Sequence, residues 1–304
     1  MSDFALICPR CSSPLPDWAS GTQTCARCGT RFEIDDRIYR FLLPERLDEL
    51  RPFLAQYRIV REQEGYRSRT PAYYRALPAV DTHDPLAENW RVRASSFNQL
   101  CRAVLPSFDH FPLSILDLGA GNGWLSHRLS ALGHRCVAVD LLADGEDGLG
   151  AHKHYPVQFA CFQADFDRLP FALWQFDLVI FNASLHYAPD IITTLRNTAE
   201  MLSPGGGIAI LDSPTFRADD NGRRMLAEME AKLKAQSGLT RVIQPGMGYL
   251  TPGLLKDAGK ALGLEFNFRP SRGGLGREIR QYLARRTMRR EPARFGMWVG
   301  MFRR

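Results

Sequence analysis

The sequence predicts an α/β protein, with a sheet of seven strands, helices on both of its faces and a small cysteine-rich module at the N-terminus. Three observations lead to this prediction. Short apolar segments alternate with helix-compatible segments between residues 106 and 304. A strand, a glycine-rich turn and a helix follow one another at residues 114–133, as in the first half of a βαβ unit. Four cysteines stand in two C-x2-C pairs before residue 30.

Length and composition fit a large globular domain with one appendage. The chain has 304 residues, of which 45% are hydrophobic and 24% are charged. No apolar run approaches the roughly 20 residues that span a bilayer, so no membrane span is expected. The N-terminus has no basic region followed by an apolar stretch, which favours a cytoplasmic location over secretion. We divide the chain into a cysteine module (1–45), a helical bridge (46–105) and a main domain (106–304).

The cysteine module has the ligand spacing of a structural zinc site. Thirteen residues separate the first pair, Cys8 and Cys11, from the second pair, Cys25 and Cys28. Each pair lies in a tight turn, and two such turns bring four thiolates to one tetrahedral ion. Disulfides are disfavoured in a cytoplasmic chain, and a redox C-x-x-C usually occurs singly. Because four protein ligands leave no open position, the zinc should hold the fold and take no part in chemistry.

Residues 30–43 predict a β-hairpin after the second cysteine pair. Apolar and polar residues alternate there, and a turn is predicted at Asp35 and Asp36. Two cysteine turns followed by a hairpin make a zinc ribbon, and so small a module usually needs a metal because it buries little apolar area. The other cysteines are predicted to be core thiols: Cys101, Cys136 and Cys161.

The helical bridge interleaves aromatic and basic residues, which are Tyr57, Arg58, Arg61, Tyr66, Arg67, Tyr73, Tyr74, Trp90, Arg91 and Arg93. Such a surface suits a lid over a cofactor, or a site for an aromatic or anionic substrate. The alternative is a linker whose aromatic side chains pack on the main domain.

The glycine turn after the first strand of the main domain predicts a nucleotide-type ligand. Gly119, Gly121 and Gly123 permit a tight turn and a close approach of the ligand to the backbone. A dinucleotide fingerprint would require a glycine where Trp124 stands. Asp117, which precedes the first glycine, would be a poor neighbour for a pyrophosphate, whereas it suits a ligand with an amino group and a sulfonium.

Residues 117–123, Asp-Leu-Gly-Ala-Gly-Asn-Gly, resemble the D/E-x-G-x-G-x-G loop of the class I methyltransferases, which have a Rossmann-like fold and use S-adenosylmethionine (SAM). The resemblance implies that the loop binds SAM through Asp117, Gly119, Ala120, Gly121 and Gly123. It covers about residues 90–304.

Residues downstream of the loop match the same family. Asp140 ends the predicted second strand, where a carboxylate can accept hydrogen bonds from both ribose hydroxyls. Leu141 would pack on the adenine, and the resemblance implies that Asp165 receives the adenine amino group. The remaining cofactor contacts are expected at Phe166, Asn182 and Ser184, the last two in the loop nearest the transferred methyl group.

The rest of the main domain completes the predicted sheet. The seven strands are predicted at residues 114–118, 135–140, 157–161, 176–181, 208–212, 265–268 and 297–302. A helix at 191–202 precedes a Ser-Pro-Gly-Gly-Gly turn at 203–207, which is typical of the family. Thr251 and Gly263 are predicted to begin and end a further helix, with Pro252 in its first turn.

The loop after the fourth strand bears on the methyl acceptor. Enzymes that methylate an exocyclic amine or a glutamine amide often carry Asn/Asp-Pro-Pro-Tyr/Phe there, and this chain does not. Its residues 182–187, Asn-Ala-Ser-Leu-His-Tyr, resemble the loop of small-molecule and quinone-type O- or C-methyltransferases. The resemblance implies methyl transfer from SAM to an oxygen or carbon of a small-molecule acceptor.

His186 is the candidate general base, because an imidazole with a pKa near 6.5 suits proton removal from a phenol, enol or hydroxyl. The alternative is a structural histidine, since methyl transfer can proceed by proximity and desolvation without a strong base. Residues 213–215 are expected to line the acceptor pocket. Weaker candidates for catalysis are Asp212, Tyr187, His152 and His154.

Two further functions stay open. A four-cysteine zinc module ahead of this fold is also the layout of bacterial rRNA guanine-N1 methyltransferases, in which the ribbon contacts RNA. Residues 272–304 contain ten arginines and two glutamates, a local charge of +8, which could bind phosphates or could form a solvated helix at 277–290. The other function is that of a SAM-binding scaffold without turnover, whose ribbon docks a partner. The oligomeric state has no signal in the sequence.

Overall fold

A computed structural model describes residues 4–17, 20–67, 69–237, 241–271 and 290–302. The strands are β1 (Leu6–Ile7), β2 (Pro14–Leu15), β3 (Gly21–Thr24), β4 (Arg31–Asp35), β5 (Ile38–Arg40), β6 (Ser114–Leu118), β7 (Arg135–Asp140), β8 (Ala160–Gln163), β9 (Phe176–Asn182), β10 (Leu202–Leu211), β11 (Asn267–Pro270) and β12 (Gly296–Met301). The helices are α1 (Pro44–Gln63), α2 (Pro71–Ala76), α3 (Ala87–Ala103), α4 (Trp124–Ala131), α5 (Ile191–Ala199), α6 (Asp219–Ser237) and α7 (Pro252–Leu262).

Among the described residues the central sheet has ten strands, in the order β11-β12-β10-β9-β6-β7-β8-β5-β4-β3. The seven predicted strands are β6–β12, and five of them, β10-β9-β6-β7-β8, run parallel. The count of seven was wrong because β3, β4 and β5 of the cysteine module continue the sheet, whereas β1 and β2 form a separate two-stranded sheet. The last strand of the module, β5, pairs in parallel with β8 through Ile38↔Cys161, Tyr39↔Phe162 and Arg40↔Gln163. This pairing satisfies backbone groups that an edge strand would leave open.

Helices cover both faces of the sheet, as predicted. Successive residues of a strand point to opposite faces, so Leu116 and Leu118 of β6 join one core and Ile115 joins the other. The first core includes residues of α5 and α7, and the second includes residues of α2, α3 and α4. In the second core the rings of Trp90 and Trp124 meet edge-to-face at 5.7 Å, which packs α3 against the start of α4.

Several predicted boundaries are confirmed and others shift. Thr251 caps α7 by accepting a hydrogen bond from the Leu254 N–H at 3.1 Å, and Gly263 ends it with a φ of 72°. The third strand lies at 160–163, not at 157–161. The predicted turn at 203–207 lies inside β10, which begins at Leu202 and shifts register before Gly207. The helix before it therefore ends at Ala199.

The hairpin predicted at 30–43 is present as β4 and β5. Asp36 and Arg37 turn between the strands with φ values of 49° and 62°, the left-handed conformation that tight hairpin turns use. The ring of Tyr39 stacks on Phe162 of β8 at 4.5 Å, which joins the cysteine module to the main core.

None of the helices in the described part of the chain is both long and apolar enough to cross a bilayer. The arginine-rich helix expected at 277–290 lies outside the described residues, apart from Arg290.

Candidate functional site

A cavity of about 410 Å³ lies at the carboxyl ends of the parallel strands. Residues that end or follow β6, β7, β8, β9 and β10 form its floor, and side chains of α1 and α3 form the wall across from them. Ligands of open α/β sheets bind at this end of the strands. Part of the helical bridge therefore forms a wall of the cavity. Ten of the twelve predicted cofactor and catalytic residues line it, and Asp117 and Gly123 do not.

Glycine is required at the floor of the cavity because the loop after β6 passes very close to the loop after β9. Gly119 has a φ of 72°, and a Cβ on it would lie 2.3 Å from the Cβ of Ser184. The Ser184 hydroxyl donates a hydrogen bond to the Leu118 carbonyl at 2.5 Å, which holds the two loops together. Gly121 follows with a φ of 57°, and Ala120 between them also lines the cavity.

Gly123 has a packing role outside the cavity. It precedes α4 with a φ of 77°, and a Cβ there would lie 2.6 Å from the Phe159 ring. Its small size lets the turn pack against Phe159, so the predicted contact of Gly123 with a ligand has no support in this geometry.

Asp140 ties the glycine loop to the end of β7. One carboxylate oxygen accepts a hydrogen bond from the Gly121 N–H at 2.8 Å, and the other accepts from the Leu142 N–H at 2.7 Å. Burial raises the pKa of Asp140 to about 6, although both backbone hydrogen bonds oppose the shift. Each oxygen of a carboxylate can accept a second hydrogen bond, so hydroxyl groups could still be held here. Leu141 lines the cavity beside it.

Asp165, which follows β8, forms an ion pair that the sequence did not predict. Its Oδ2 accepts a hydrogen bond from Arg46 Nε at 2.7 Å, and the two side chains are 10% and 24% exposed. Arg46 also lines the cavity, from the first turn of α1. Phe166, the next residue, packs its ring edge-to-face on Phe181 at 5.8 Å. The predicted adenine end of the site is therefore braced from α1.

Asp117 lies behind the cavity floor and does not line the cavity, although the sequence predicted that it would face the ligand. It is fully buried, and one oxygen accepts a hydrogen bond from the Ser126 hydroxyl at 2.8 Å. Its other oxygen has no hydrogen-bond partner among the described residues. Burial raises the pKa of Asp117 to about 7. All five residues of β6 are buried, so this strand places its acid in the core.

Two non-glycine residues in the left-handed region follow neighbouring strands at the cavity. Ala183, after β9, has a φ of 55°, and Asp212, after β10, has a φ of 52°. Such conformations cost about 1–3 kcal/mol each and cluster at functional sites. The Asp212 carboxylate accepts a hydrogen bond from Ser96 of α3 at 2.6 Å. Asn182, beside Ala183, has a buried Oδ1 without a hydrogen-bond partner in the described part of the chain.

His186 lies on the cavity wall after β9 and is 8% exposed. Its Nδ1 is 3.1 Å from the Ser213 hydroxyl, and its ring is 4.3 Å from that of Tyr187. Burial lowers the pKa of His186 to about 4, so the ring is neutral at physiological pH. The pKa near 6.5 that suggested a general base is therefore not the pKa of this histidine.

The weaker catalytic candidates separate into two groups. Tyr187 and Asp212 line the cavity. His152 and His154 do not: His152 contacts the Asp36 carbonyl at 2.9 Å, and His154 stacks on Tyr74 at 4.9 Å. Of the segment 213–215, Pro214 lines the cavity.

Aromatic and basic residues of the helical bridge form one wall of the cavity. The sequence predicted such a surface but not the contacts that its side chains make. The rings of Phe53 and Tyr57 on α1 each lie 5.9 Å from the ring of Tyr187. Arg61 donates hydrogen bonds to both oxygens of Asp147, at 2.5 and 3.0 Å. Interleaved aromatic and basic residues indicated this wall, but Arg46 had no such signal because it lies ahead of the aromatic segment.

The four cysteines of the N-terminal module converge. Their sulfur atoms all lie within 4.8 Å of one another, and the Cys8–Cys28 and Cys11–Cys25 distances are both 3.6 Å. A tetrahedral zinc site with Zn–S bonds of about 2.3 Å has sulfur–sulfur distances of about 3.8 Å. The donor set and its spacing therefore fit a zinc ion.

The two cysteine turns repeat each other. The Cys8 carbonyl accepts from the Ser12 N–H at 2.8 Å, and the Cys25 carbonyl accepts from the Gly29 N–H at 2.9 Å. A hydroxyl two residues after each second cysteine lies near its sulfur, Ser13 at 3.4 Å from Cys11 and Thr30 at 3.1 Å from Cys28. Such hydroxyls orient thiolate ligands from outside the ligand shell.

Residues 116–210 match the family model described as a methyltransferase domain. The chain is 37% identical over 101 residues to a demethylmenaquinone methyltransferase of Corynebacterium urealyticum, covering 33% of this chain and 42% of that protein. It is 30% identical over 132 residues to a malonyl-[acyl-carrier protein] O-methyltransferase of Erwinia billingiae, covering 40% and 51%. The chain thus spans about half the length of the curated relatives it matches.

Among solved structures, a putative sarcosine dimethylglycine methyltransferase from Galdieria sulphuraria aligns with a TM-score of 0.50 at 14% identity, over 76% of this chain and 96% of that one. This likeness shows the fold. Residues 116–210 are thus similar to a methyltransferase domain, and the described part of the chain has an α/β Rossmann-like fold.

Proposed function

We propose that the protein is a class I SAM-dependent methyltransferase that transfers a methyl group to an oxygen or carbon of a small-molecule acceptor. The observation that carries the proposal is the pairing of Asp140 with the Gly121 N–H at the cavity floor. This pairing sets an acidic side chain beside a glycine loop that admits no Cβ at Gly119. The methyltransferase domain at 116–210 includes all three residues.

The chemistry of the residues that line the cavity supports SAM as its ligand. The backbone of Gly119, Ala120 and Gly121 would contact the cofactor, and Asp140 would accept hydrogen bonds from the ribose hydroxyls. Leu141, Asp165 and Phe166 would hold the adenine, with Asp165 oriented by Arg46. The amide oxygen of Asn182, which is buried without a partner among the described residues, would accept a hydrogen bond near the methyl group. Bound SAM supplies an electrophilic methyl group on a sulfonium.

The protein would promote transfer chiefly by position and by exclusion of water. Rings from α1 and from Tyr187 close one wall of the cavity, and the buried ring of His186 lies beside them. His186 is neutral and could accept a hydrogen bond from an acidic hydroxyl or enol, but a pKa of about 4 makes it a weak base. Its contact with Ser213 would orient the ring.

Two observations support a small acceptor. The cavity of about 410 Å³ falls in the range of small-molecule sites, and part of it must hold the cofactor. The curated relatives are named for demethylmenaquinone and for malonyl-[acyl-carrier protein]. We further propose that Cys8, Cys11, Cys25 and Cys28 bind one structural zinc ion, which would stabilise a ribbon too small for a core of its own.

Calorimetry with S-adenosylhomocysteine, the product form of the cofactor, tests the proposal. We expect the full chain to bind it, and Asp140→Ala to weaken binding at least tenfold, because the ribose hydroxyls lose a charged acceptor. Asp220→Ala is the matched control, since that exposed acid pairs with Arg224 on α6. An absence of binding by the unmodified protein, or equal affinity of Asp140→Ala, would refute the cofactor assignment.

Methyl incorporation from labelled SAM in a cell extract tests the acceptor. We expect the label in an organic-extractable fraction that survives RNase treatment. Loss of label with RNase would instead identify RNA as the acceptor, and binding without any incorporation would identify a SAM-binding scaffold.

A further inference from the structure

Two tyrosine hydroxyls at the cavity have no hydrogen-bond partner among the described residues. Tyr57 lies on α1 and Tyr187 follows β9, and both side chains line the cavity. Neither hydroxyl is sealed in the protein interior, in contrast to that of Tyr155. A phenol hydroxyl that is largely withdrawn from water usually has a partner. We therefore expect a ligand to supply the partner of these two.

The rings of the two tyrosines are in contact, which places both side chains in the same part of the cavity. Their centres are 5.9 Å apart and their planes are 86° apart. Phe53, one turn before Tyr57 on α1, lies 5.7 Å from Tyr57 and 5.9 Å from Tyr187. Three rings that meet in this way form an apolar wall with two O–H groups, which suits a planar ligand that carries an oxygen.

Both hydroxyls keep their protons at physiological pH. Burial raises the pKa of Tyr187 to about 12 and the pKa of Tyr57 well above its ordinary value of 10, although the positive charge of Arg61 opposes both shifts. Each tyrosine is therefore a hydrogen-bond donor. Donors that are already in place stabilise negative charge on a reacting oxygen most strongly where water is excluded.

A cation lies beside the two hydroxyls. The Cζ of Arg61 is 5.7 Å from the centre of the Tyr57 ring. The acids that act on the pKa of either tyrosine are Asp140, Asp147 and Glu64, and at each tyrosine the effect of Arg61 is larger than that of any one of them. The surroundings of the hydroxyls thus favour an anion over a cation.

An anionic acceptor would also remove the need for a base. His186 lies against Tyr187, with ring centres 4.3 Å apart, but its pKa of about 4 makes it a poor group to take a proton from a hydroxyl. An acceptor that loses its proton to the solvent when it binds does not require such a group. The tyrosines would hold the resulting negative charge.

We propose that the hydroxyls of Tyr57 and Tyr187 donate hydrogen bonds to the oxygen of an acidic phenol or enol, which binds as its anion. The inference rests on the proposed function and names the class of acceptor. A lone pair of the bound oxygen, or of a carbon conjugated with it, would form the new bond to the methyl carbon. The methyl–sulfur bond breaks in the same step, and its electron pair stays on the sulfur. Transfer to carbon would then release a C–H proton to the solvent.

An absorbance titration of 4-nitrophenol with the full chain, loaded with S-adenosylhomocysteine, tests the proposal. The anion of this phenol absorbs visible light and the neutral form does not. At the pH where the free phenol is half ionised, we expect added protein to raise the visible absorbance, because the site favours the anion at least about tenfold, a fall of about one unit in the pKa of the phenol. A fall in absorbance, which reports binding of the neutral form, or no change would overturn the proposal.

Three phenylalanine variants assign the effect to the hydroxyls. Tyr57→Phe and Tyr187→Phe should each weaken binding of the anion about 10- to 100-fold, because a hydrogen bond to a charged group is lost. Tyr155→Phe is the matched control, since its hydroxyl also has no partner in the described part of the chain but does not line the cavity. None of these substitutions alters the net charge, so the general attraction of an anion to the protein stays the same.

Two further titrations separate the possible failures. Nitrobenzene keeps the ring of the probe without the ionisable oxygen, and the variants should bind it within twofold of the unmodified protein, which also shows that they have folded. Undiminished binding of the 4-nitrophenol anion by both Tyr57→Phe and Tyr187→Phe would overturn the assignment of the hydroxyls. Failure of the unmodified protein to bind S-adenosylhomocysteine in calorimetry would refute the cofactor assignment and the inference with it. Binding of that cofactor product without a rise in absorbance would refute the acceptor class alone.

Discussion

The Nε of Arg46 lies 2.7 Å from the Oδ2 of Asp165, so the helix that follows the zinc-ribbon-like module is clamped to the predicted adenine end of the cavity. Asp165 lies two residues after the end of β8, and β8 pairs with β5 of the module. The module and the cavity are therefore joined twice, once through backbone pairing and once through this ion pair. A further ion pair joins α1 to the cysteine module: Glu45, which precedes Arg46, pairs with Arg10 of the first cysteine turn at 2.7 Å.

Removal of the Arg46 charge should weaken both the fold and cofactor binding. Arg46→Gln leaves the largely buried carboxylate of Asp165 without its charged partner, which should lower the free energy of unfolding by about 1–3 kcal/mol. The affinity for S-adenosylhomocysteine should fall as well, because Asp165 loses its orientation. Chemical denaturation and calorimetry measure the two effects.

Arg51→Gln is the control for this substitution. Arg51 pairs with Asp48 on the same helix, but their side chains are 70% and 69% exposed. Loss of this ion pair should therefore lower the free energy of unfolding by less than about 1 kcal/mol. Equal effects of the two substitutions would show that the Arg46–Asp165 pair has no special role.

Removal of the metal from the cysteine module should weaken ligand binding in the cavity. We expect one equivalent of zinc per chain by elemental analysis, and Cys11→Ser to reduce it to near zero, because three ligands bind far less tightly than four. The variant should unfold at a lower temperature and bind S-adenosylhomocysteine more weakly, since β5 and α1 lose their anchored neighbour. Cys101→Ser on α3 is the control and should retain the zinc. Unchanged metal content in Cys11→Ser would rule out the proposed site.

A methyl group at Gly119 should abolish cofactor binding. In Gly119→Ala the new Cβ would lie 2.3 Å from the Cβ of Ser184, at a φ of 72° that disfavours alanine, so the loop must move. We expect at least a tenfold loss of affinity for S-adenosylhomocysteine and a lower melting temperature. Gly253→Ala, in the first turn of α7, meets only Thr251 Oγ1 at 3.9 Å and should leave both unchanged or raise stability slightly. Equal behaviour of the two variants would contradict the close-approach argument.

The buried Asp117 should make the fold less stable as pH rises. Its pKa is raised to about 7 in the folded protein, against an ordinary value of 3.8. The folded state therefore binds the proton more tightly, and the stability this gives is present below about pH 4 and is lost as pH rises through 7. Asp117→Asn keeps an acceptor for Ser126 and removes the titration. Denaturation at pH 5 and pH 8 should show a drop for the unmodified protein that shrinks, by on the order of 2–4 kcal/mol, in the variant. An undiminished drop would exclude Asp117 as its source.

His186 should matter to turnover without producing a histidine-like pH profile. Because burial lowers its pKa to about 4, its neutral form prevails from pH 5.5 to 8. Any change of kcat/KM in that range, such as one from Asp140 with its pKa of about 6, should therefore be the same in His186→Gln. His186→Gln should lower kcat about 10-fold, because the ring positions the acceptor and is only a weak base, while leaving the affinity for S-adenosylhomocysteine unchanged. A loss below fivefold would assign His186 a structural role.

Local features of the sequence predicted those parts of the structure whose geometry is set over a few residues. The two C-x2-C pairs, the caps Thr251 and Gly263, and the positive φ angles of Gly119 and Gly121 all follow from short-range rules. Ten residues predicted for SAM or catalysis line one cavity because the ends of neighbouring parallel strands must meet.

The errors came from long-range pairing and from burial. Ile38 pairs with Cys161, and Arg46 with Asp165, across more than a hundred residues, and no local pattern encodes such partners. Asp117 was expected to face the ligand, but a parallel strand covered on both sides is buried throughout, so its sequence does not tell which side chain points where. The pKa of His186 could not be predicted because it depends on how deeply the ring is buried.

The parallel pairing of β5 with β8 also determines which strand of the sheet other chains can reach. A chain that lacked the first 41 residues would present β8, with the apolar sequence Ala-Cys-Phe-Gln, as an open edge able to pair with another molecule. With the module present, the outermost strand on this side among the described residues is β3, which is short, polar (Gly-Thr-Gln-Thr) and mostly exposed. The module thus replaces an apolar edge strand by a polar one, which should disfavour pairing of two sheets edge to edge.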